Sequence, residues 1–370
     1  MEIKAVENRR ELRSFIMLPW KIYKHDKFWV PPLISDVKDV LSPRKNPFWQ
    51  HAEQKLFLAK KGRKVVGRIA AIIDLNHITY RKEKAGFFGF FESYDDYEIA
   101  ELLLSTVRNY LREKKMEIMR GPMSPSINDE CAILISGFDT PPYIMMTHNP
   151  PYYQKLFERF GFVKAVDWFA YLGPISAEPP RQVEEVAKFA IQKNPTLKIR
   201  TINLNKLDEE AREIKEIFNS AWSKNWGFVP FTDAEMEVMA KKLKTIAIPE
   251  LVFIAEIEGK PIGILAGIPN FNQVLKHLNG RLFPFGFLKA LYYSRKIDSG
   301  RLIIMGVKEP FRKRGIEAVM YLQAFKKAYE LGFRWVESSM ILEQNLLTRR
   351  AAELTGGKIY KTYRIYEMRI

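Results

Sequence analysis

Acidic residues are scarce in this chain and cysteine is nearly absent. Asp and Glu number 43 against 59 Lys and Arg, a formal net charge of +16 over 370 residues. Such a surplus raises the local concentration of anions, whether nucleotides, nucleic acid or acidic lipid headgroups, without choosing among them. A plain basic, solvated surface explains it equally well. Cys131 is the single cysteine, which excludes an internal disulfide and any cysteine-rich metal site. The five histidines show no paired spacing, so no metal site is expected. No uninterrupted run of about 18 apolar residues occurs, so no membrane-spanning helix is expected. The opening MEIKAVENRR has no signal-peptide core, and a cytoplasmic location is the expected default. What the chain does have is 47% hydrophobic and 13% aromatic residues, enough for two cores. At about 100–200 residues per domain, its length predicts two domains.

Two halves run in parallel, the mark of an internal repeat. MEIKAVENRRELRSFI opens the first and LKIRTINLNKLDEEAREIKEIF, from Leu197, the second. Each reads as a short strand, a polar turn and an amphipathic helix. Aromatic stretches closing on proline follow, DKFWVPP and KNWGFVPF. Then come two predicted hairpins with Gly62 and Gly259 at their tips. Each half continues with a strand (GFFGFFES or RLIIMGV), a helix, a further strand, another helix and a closing pair. The helices expected after those strands cover Tyr97–Lys114 and Ile316–Leu331, the first with Ile99, Leu102, Leu103, Val107, Tyr110 and Leu111 on one stripe. This order predicts an α/β class with a mixed (α+β) sheet flanked by helices, in each of two domains. The proline cluster in GPISAEPPRQ places the boundary near Gly173–Gln182, with a helix from about Gln182 to Lys193 as linker. The expected domains are 1–175 and 197–370, joined by 176–196.

The segment VKEPFRKRGIEA, after the second half's RLIIMGV strand, resembles the phosphate loop of the GNAT superfamily of acyl-coenzyme A N-acyltransferases. The superfamily pattern, Arg/Gln-x-x-Gly-x-Gly/Ala, reads here Arg312-Lys313-Arg314-Gly315-Ile316-Glu317. The whole chain is similar to a bacterial family of tandem GNAT proteins through GPMSPSINDECAILISGFDTPPYIMM, NWGFVPFTDAE, NGRLFPFGFLKAL and MGVKEPFRKRGIEA. Physical chemistry supports the loop independently. A helix start leaves unpaired N–H groups carrying partial positive charge, a natural seat for a diphosphate. Gly315 permits close approach, and Arg312, Lys313 and Arg314 add charge. Glu317 departs from the pattern. A carboxylate ~5 Å from a phosphate, at an effective dielectric of ~20, costs about 3 kcal/mol. Three neighbouring cations offset that, and the loop is expected to stay competent. The first half places Glu92, Asp95 and Asp96 at the equivalent point, so its domain is expected to lack a coenzyme A loop.

The resemblance implies that the fourth and fifth strands splay, that an acyl-coenzyme A thioester lies between them, and that Met305 and Val307 pair with its pantetheine. It also implies contacts from Ile316 and Glu317, and from Asn345 near the pantetheine. Acyl transfer needs a base for the amine proton. Glu337 in RWVESSMILEQN is the candidate, ahead of Ser338, Ser339 and Glu343. Where the superfamily has a tyrosine as the acid this chain has Ala352, and the first half has Phe157; the alternatives are Tyr363 or Tyr366 as substitutes, or protonation of the departing thiolate by water. Asn128, Asp129 and Glu130, with Asn225 and Trp226 from the matching segments, are expected on the acceptor side. For the first three, turn-pinning is the plain alternative.

The insertion Phe271–Ile297 is apolar with a basic fringe. Two readings stay open: a lid for a long acyl chain or a membrane-surface amine, with peripheral membrane contact, or packing between the domains. The leading expectation is an N-acyltransferase using acetyl- or longer acyl-coenzyme A and a small or lipid-like primary amine. Rivals are a Fem-like aminoacyl-tRNA-dependent transferase and a non-catalytic acyl-coenzyme A or membrane binder. Nucleic acid is not favoured, because the basic residues are dispersed.

Overall fold

Local sequence signals set the elements. The stripe on Tyr97–Glu113 buries Ile99, Leu103, Val107 and Leu111, and Asp96 caps the helix by accepting the Glu98 N–H (3.0 Å). Truncating one such leucine to alanine costs about 2–5 kcal/mol. Thr232 and Glu235 form a reciprocal capping box at another helix start.

The computed structural model describes residues 1–370. The first half runs β1 (Glu2–Ala5), α1 (Arg9–Met17), α2 (Pro19–Ile22), α3 (Ile34–Val40), β2 (Ala52–Lys61), β3 (Lys64–Asp74), α4 (Leu75–Arg81), β4 (Ala85–Ser93) and α5 (Tyr97–Glu113). It continues with β5 (Ile118–Gly121), the hairpin β6 (Met123–Ser124) and β7 (Glu130–Cys131), β8 (Ile133–Ser136), α6 (Tyr153–Phe160) and β9 (Val163–Pro174). The second half runs α7 (Arg181–Lys193), β10 (Leu197–Thr201), α8 (Leu207–Trp222), α9 (Asp233–Lys244), β11 (Val252–Ile257), β12 (Lys260–Pro269), α10 (Asn272–Leu275) and α11 (Gly286–Ser294). It closes with β13 (Ser299–Val307), α12 (Ile316–Glu330), β14 (Trp335–Leu342), α13 (Leu346–Leu354) and β15 (Lys358–Arg369). Gly62 and Gly259 turn their hairpins with φ of 59° and 73°, the left-handed region glycine tolerates.

Two compact units result, and neither coincides with one half of the repeat. Unit 1 comprises Met1–Asp167, Leu275–Ala290 and Lys361–Ile370; unit 2 comprises Trp168–Val274 and Leu291–Tyr360. A division at 175 and 197 therefore follows the repeat but not the packing. The reason is ladder pairing, since a strand belongs where its main-chain partners are. The Trp168–Pro174 part of β9 pairs with β14 (Tyr171 opposite Ser338), and β15 pairs with β5 (Tyr366 opposite Gly121). Each half thus gives its last strand to the other half's unit. Unit 1 orders its strands β1-β2-β3-β4-β5-β15 and unit 2 β9-β14-β13-β12-β11-β10. Within each, β4–β5 and β13–β14 are parallel neighbours, bridged by α5 and α12 respectively.

The tip of the insertion docks inside unit 1. The Trp20 indole N–H donates to Asn279 Oδ1 (2.9 Å), and the Ile34 N–H to the Gly280 carbonyl (3.0 Å). A Cβ on Gly280 would lie 2.6 Å from Trp20. Helix α7 is more than a linker. In unit 2 it buries Val183, Ala187 and Ala190, with Ala187 and Ala190 clustered against Val319 of α12.

Candidate functional site

Strands β13 and β14 pair only over Ser299–Leu302 and Trp335–Ser338. Beyond that, β13 continues along β12 to Val307, while β14 follows β9 through a register shift between Ser338 and Ile341. The two strands therefore diverge in a V. The Lys308 N–H donates to the Ile262 carbonyl (2.8 Å). By strand alternation, the main-chain groups of Met305 and Val307 face away from β12, toward the open edge. Open strand edges pair with extended, amide-bearing chains. On the α12 side, an apolar void of about 50 Å³ lies among Leu265, Leu302, Tyr321, Phe325 and Val336. Burial there pushes the Tyr321 hydroxyl up to about 12.

The loop from β13 to α12 bends through two left-handed residues, Lys313 (φ 60°) and Gly315 (φ 74°). A Cβ on Gly315 would stand 3.0 Å from Ala190 Cβ and 3.2 Å from Val186 Cγ1 of α7, so glycine is required twice over. Gly315 offers no side-chain cap; its carbonyl accepts the Ala318 N–H (3.1 Å) and the Val319 N–H (3.4 Å), and the Ile316 and Glu317 amides lie before them at the helix start. Lys313 and Arg314 are exposed; Arg314 lies 5.1 Å over the Phe311 ring and donates to the Pro310 carbonyl (3.2 Å). Arg312 is a brace: Nε donates to the Val307 carbonyl (3.1 Å) and Nη2 to the Ala221 carbonyl (2.6 Å). Ile316 is buried in the core. Glu317 is half-buried, and burial raises its pKa, against the pull of its own backbone N–H and of Arg312. Its carboxylate thus lies at the helix start, beside the amides an anion would use.

At the vertex of the V stands a polar cluster. Glu337 is opposite Arg301 in the β13–β14 register and is fully buried, unlike the accessible strand carboxylate a base requires. Its Oε1 accepts from Ser339 Oγ (2.5 Å) and lies 3.5 Å from Arg301 Nε, while Oε2 accepts from the Tyr360 hydroxyl. Arg301 Nε in turn donates to Ser339 Oγ (2.8 Å). Tyr360 is half-exposed, and its hydroxyl donates to the buried acid. Sequence reasoning missed Tyr360, which reaches Glu337 from the next strand of the chain, β15, 23 residues on.

Asn345 caps α13, its Oδ1 accepting the Thr348 N–H (3.2 Å). Glu343 offers its carbonyl to Arg349 Nη1 (3.0 Å). Ala352 is buried against Tyr171 and Ile341. The Tyr171 hydroxyl accepts from Arg349 Nε (3.1 Å) and donates to Glu353 (3.3 Å), so β9 supplies a tyrosine beside the position where the superfamily pattern has one. Tyr363 and Tyr366 lie instead in the interior of unit 1, Tyr366 donating to Glu158 (2.9 Å). Asn225 and Trp226 belong to unit 2, where Trp226 meets the Trp168 ring edge-on at 6.3 Å.

Unit 1 has the corresponding divergence, with β4 and β5 pairing only over Ala85–Phe87 and Ile118–Arg120. That gap is filled. The Phe90 N–H donates to Ser124 Oγ (2.9 Å), and a Cβ on Gly89 would fall 1.6 Å from the Met123 carbonyl oxygen. Glu92 points inward, accepting from Tyr153 (2.7 Å) beside Arg68 (3.5 Å); burial raises its pKa and Arg68 opposes the rise. Asn128, Asp129 and Glu130 close the β6–β7 hairpin. Ser126 Oγ–H donates to Asp129 (2.6 Å), the Asn128 N–H donates to Ser126 Oγ (3.2 Å), and Glu130 pairs with Ser124. No group of three or more His, Cys, Asp or Glu is arranged as metal ligands. No helix is long and apolar enough to cross a membrane.

No family model matches the chain. It is 36% identical, over 99% of its length and 97% of the relative's, to the bacterial ceramide synthase of Caulobacter vibrioides (strain NA1000 / CB15N). It is 34% identical, over 100% of its length and 95% of the relative's, to protein YghO of Escherichia coli (strain K12). Among solved structures, the tandem GNAT protein from the clavulanic acid biosynthesis pathway superposes on 100% of this chain and 98% of its own, with a TM-score of 0.62 and 12% identity. At that identity the likeness establishes the fold, two GNAT domains in tandem.

Proposed function

Because this chain belongs to the family that includes the bacterial ceramide synthase and YghO, we propose that it is an acyl-coenzyme A-dependent N-acyltransferase whose acceptor is a long-chain, lipid-like primary amine. The observation that carries this reading is the V between β13 and β14 opening beside the Gly315 helix start. An open strand edge, an uncapped helix N-terminus and exposed basic residues suit the amides and phosphates of coenzyme A. The ceramide synthase name of the relative favours an amine with an aliphatic tail, since ceramide is an amide of a long-chain amino alcohol.

In this reading, Met305 through its main chain and Val307 through its N–H hold the pantetheine, Lys313 and Arg314 draw in the phosphates, and the Glu317 carboxylate turns aside to admit them. The bound thioester supplies an activated acyl group. The amine nitrogen forms the new C–N bond as the C–S bond breaks, and the thiolate leaves. Tyr360 accepts the amine proton on its hydroxyl oxygen while passing its own to Glu337, whose negative charge Arg301 balances. Calorimetric titration with acetyl- and palmitoyl-coenzyme A, followed by mass spectrometry of products with sphinganine and with short amines, tests the proposal. Binding of palmitoyl-coenzyme A and formation of the long-chain amide are expected; no binding of either thioester removes it.

The position of the Glu317 carboxylate favours one second reading, a protein of this family that binds acyl groups without transferring them. Tight binding with no amide formed from any amine would establish that alternative.

A further inference from the structure

We propose that the segment Phe283–Tyr292 is the face by which this protein lies on an anionic lipid surface. No residue of α11 is buried. Phe287 and Leu291, and Leu288 and Tyr292, are spaced i,i+4 and share one exposed stripe. Phe283 and Phe285, 79% and 70% exposed, extend it from the preceding turn, with the Phe283 ring 6.3 Å from Phe287. The turn before them is fixed by Trp20–Asn279 and by Gly280 packed on Trp20, so these rings are presented from an anchored base.

Charge identifies the occupant. Phe271–Ile297 contains five Lys or Arg and no Asp or Glu. Lys289, Arg295 and Lys296 are exposed beside the apolar stripe. The Lys296 ammonium sits 4.2 Å over the Tyr292 ring and 2.6 Å from its hydroxyl, an amphipathic pair suited to the boundary between headgroups and acyl chains. A second copy of this chain, carrying +16, would set basic fringe against basic surface. A nine-residue helix is too short to span a bilayer and lies in its plane. The inference stands apart from the proposed reaction, because its readout needs neither thioester nor amine.

The test is flotation of the full chain with phosphatidylcholine vesicles, with and without about 30% phosphatidylglycerol. The wild type is expected to float with the anionic vesicles, and to be released on raising salt from about 0.1 to 0.5 M. The triple variant Phe283→Ser, Phe285→Ser, Leu291→Ser changes only exposed side chains; it should keep its melting temperature and lose at least about tenfold in partitioning. Lys289→Glu, Arg295→Glu and Lys296→Glu together should lower anionic partitioning by roughly 100-fold, each basic residue contributing about fivefold. Three outcomes overturn the proposal: a wild type that floats with neither vesicle, folded variants that float as the wild type does, or variants that abolish a concentration-dependent dimer while the wild type ignores lipid.

Discussion

Replacing Glu317 with alanine should tighten the binding of coenzyme A. The half-buried carboxylate lies at the first turn of α12, where the proposed phosphates sit. One like-charge contact at ~5 Å and an effective dielectric of ~20 is worth about 3 kcal/mol. Arg312 already offsets part of it, and solvent screens more, leaving about 1–2 kcal/mol, or roughly 5- to 30-fold in Kd. The same carboxylate complements the helix N-terminus, so the variant should lose a few tenths to about 1 kcal/mol of stability. The pH dependence has a definite sign. Burial raises the Glu317 pKa, and only the charged form repels phosphate. Wild-type affinity should therefore rise as pH falls through that raised value, and Glu317→Ala and Glu317→Gln should both flatten this part of the slope. Calorimetry over a series of pH values descending from about 8 on all three proteins separates it from the titration of the ligand's own phosphate, which they share. Unchanged or weaker binding in both variants would refute the placement of the phosphates.

Three further substitutions probe the same framework. Tyr360→Phe should lower kcat at least about 100-fold with little change in KM, and should cost about 1–3 kcal/mol of stability because the buried Glu337 carboxylate loses a donor; measurement of amide formation against pH on the folded variant checks this, and near-normal turnover excludes the relay. Glu337→Ala leaves Arg301 buried without its counter-charge and should cost about 3–5 kcal/mol in denaturant unfolding. Gly315→Ala forces a Cβ onto α7 and a left-handed φ onto alanine, so about 1–2 kcal/mol of stability and most thioester affinity should be lost together. In unit 1, a hydrogen bond from His77, aided by Arg120, holds the Glu83 carboxyl down at about 2. Its folded value being depressed, that stabilisation is full above the ordinary carboxylate range and is lost as pH falls from about 4.5 toward 2. Glu83→Gln should remove this acid limb, worth about 1–2 kcal/mol after screening, as read by unfolding at pH 5 and pH 3.

The signals legible in the sequence were local ones. The hairpins at Gly62 and Gly259, the stripe of α5 and the extent of α7 follow from periodicity and turn chemistry within a few residues. The loop before α12 was legible because a strand, a glycine and a helix start are contiguous. What escaped depends on partners far along the chain. Arg312 spends its donors on Val307 and on Ala221, the latter 91 residues away. The burial of Glu337, the candidate base, was not legible, because alternation alone cannot show that Tyr360 and Arg301 close over it. The exchange of closing strands is equally invisible to periodicity: β9 and β15 are good strands wherever they pair. Glu92 and Asp96, read as repelling charges, are instead a buried ion-pair partner and a helix cap.

The central claim, that an acyl-coenzyme A lies along the open edge of β13, is tested most directly by hydrogen exchange at the Met305 and Val307 amides with and without a non-hydrolysable palmitoyl-coenzyme A analogue. Both amides should exchange markedly more slowly when the analogue is bound, while those of β4 in unit 1 stay unchanged. Saturating binding that leaves Met305 and Val307 exchanging at their free rates would contradict the account.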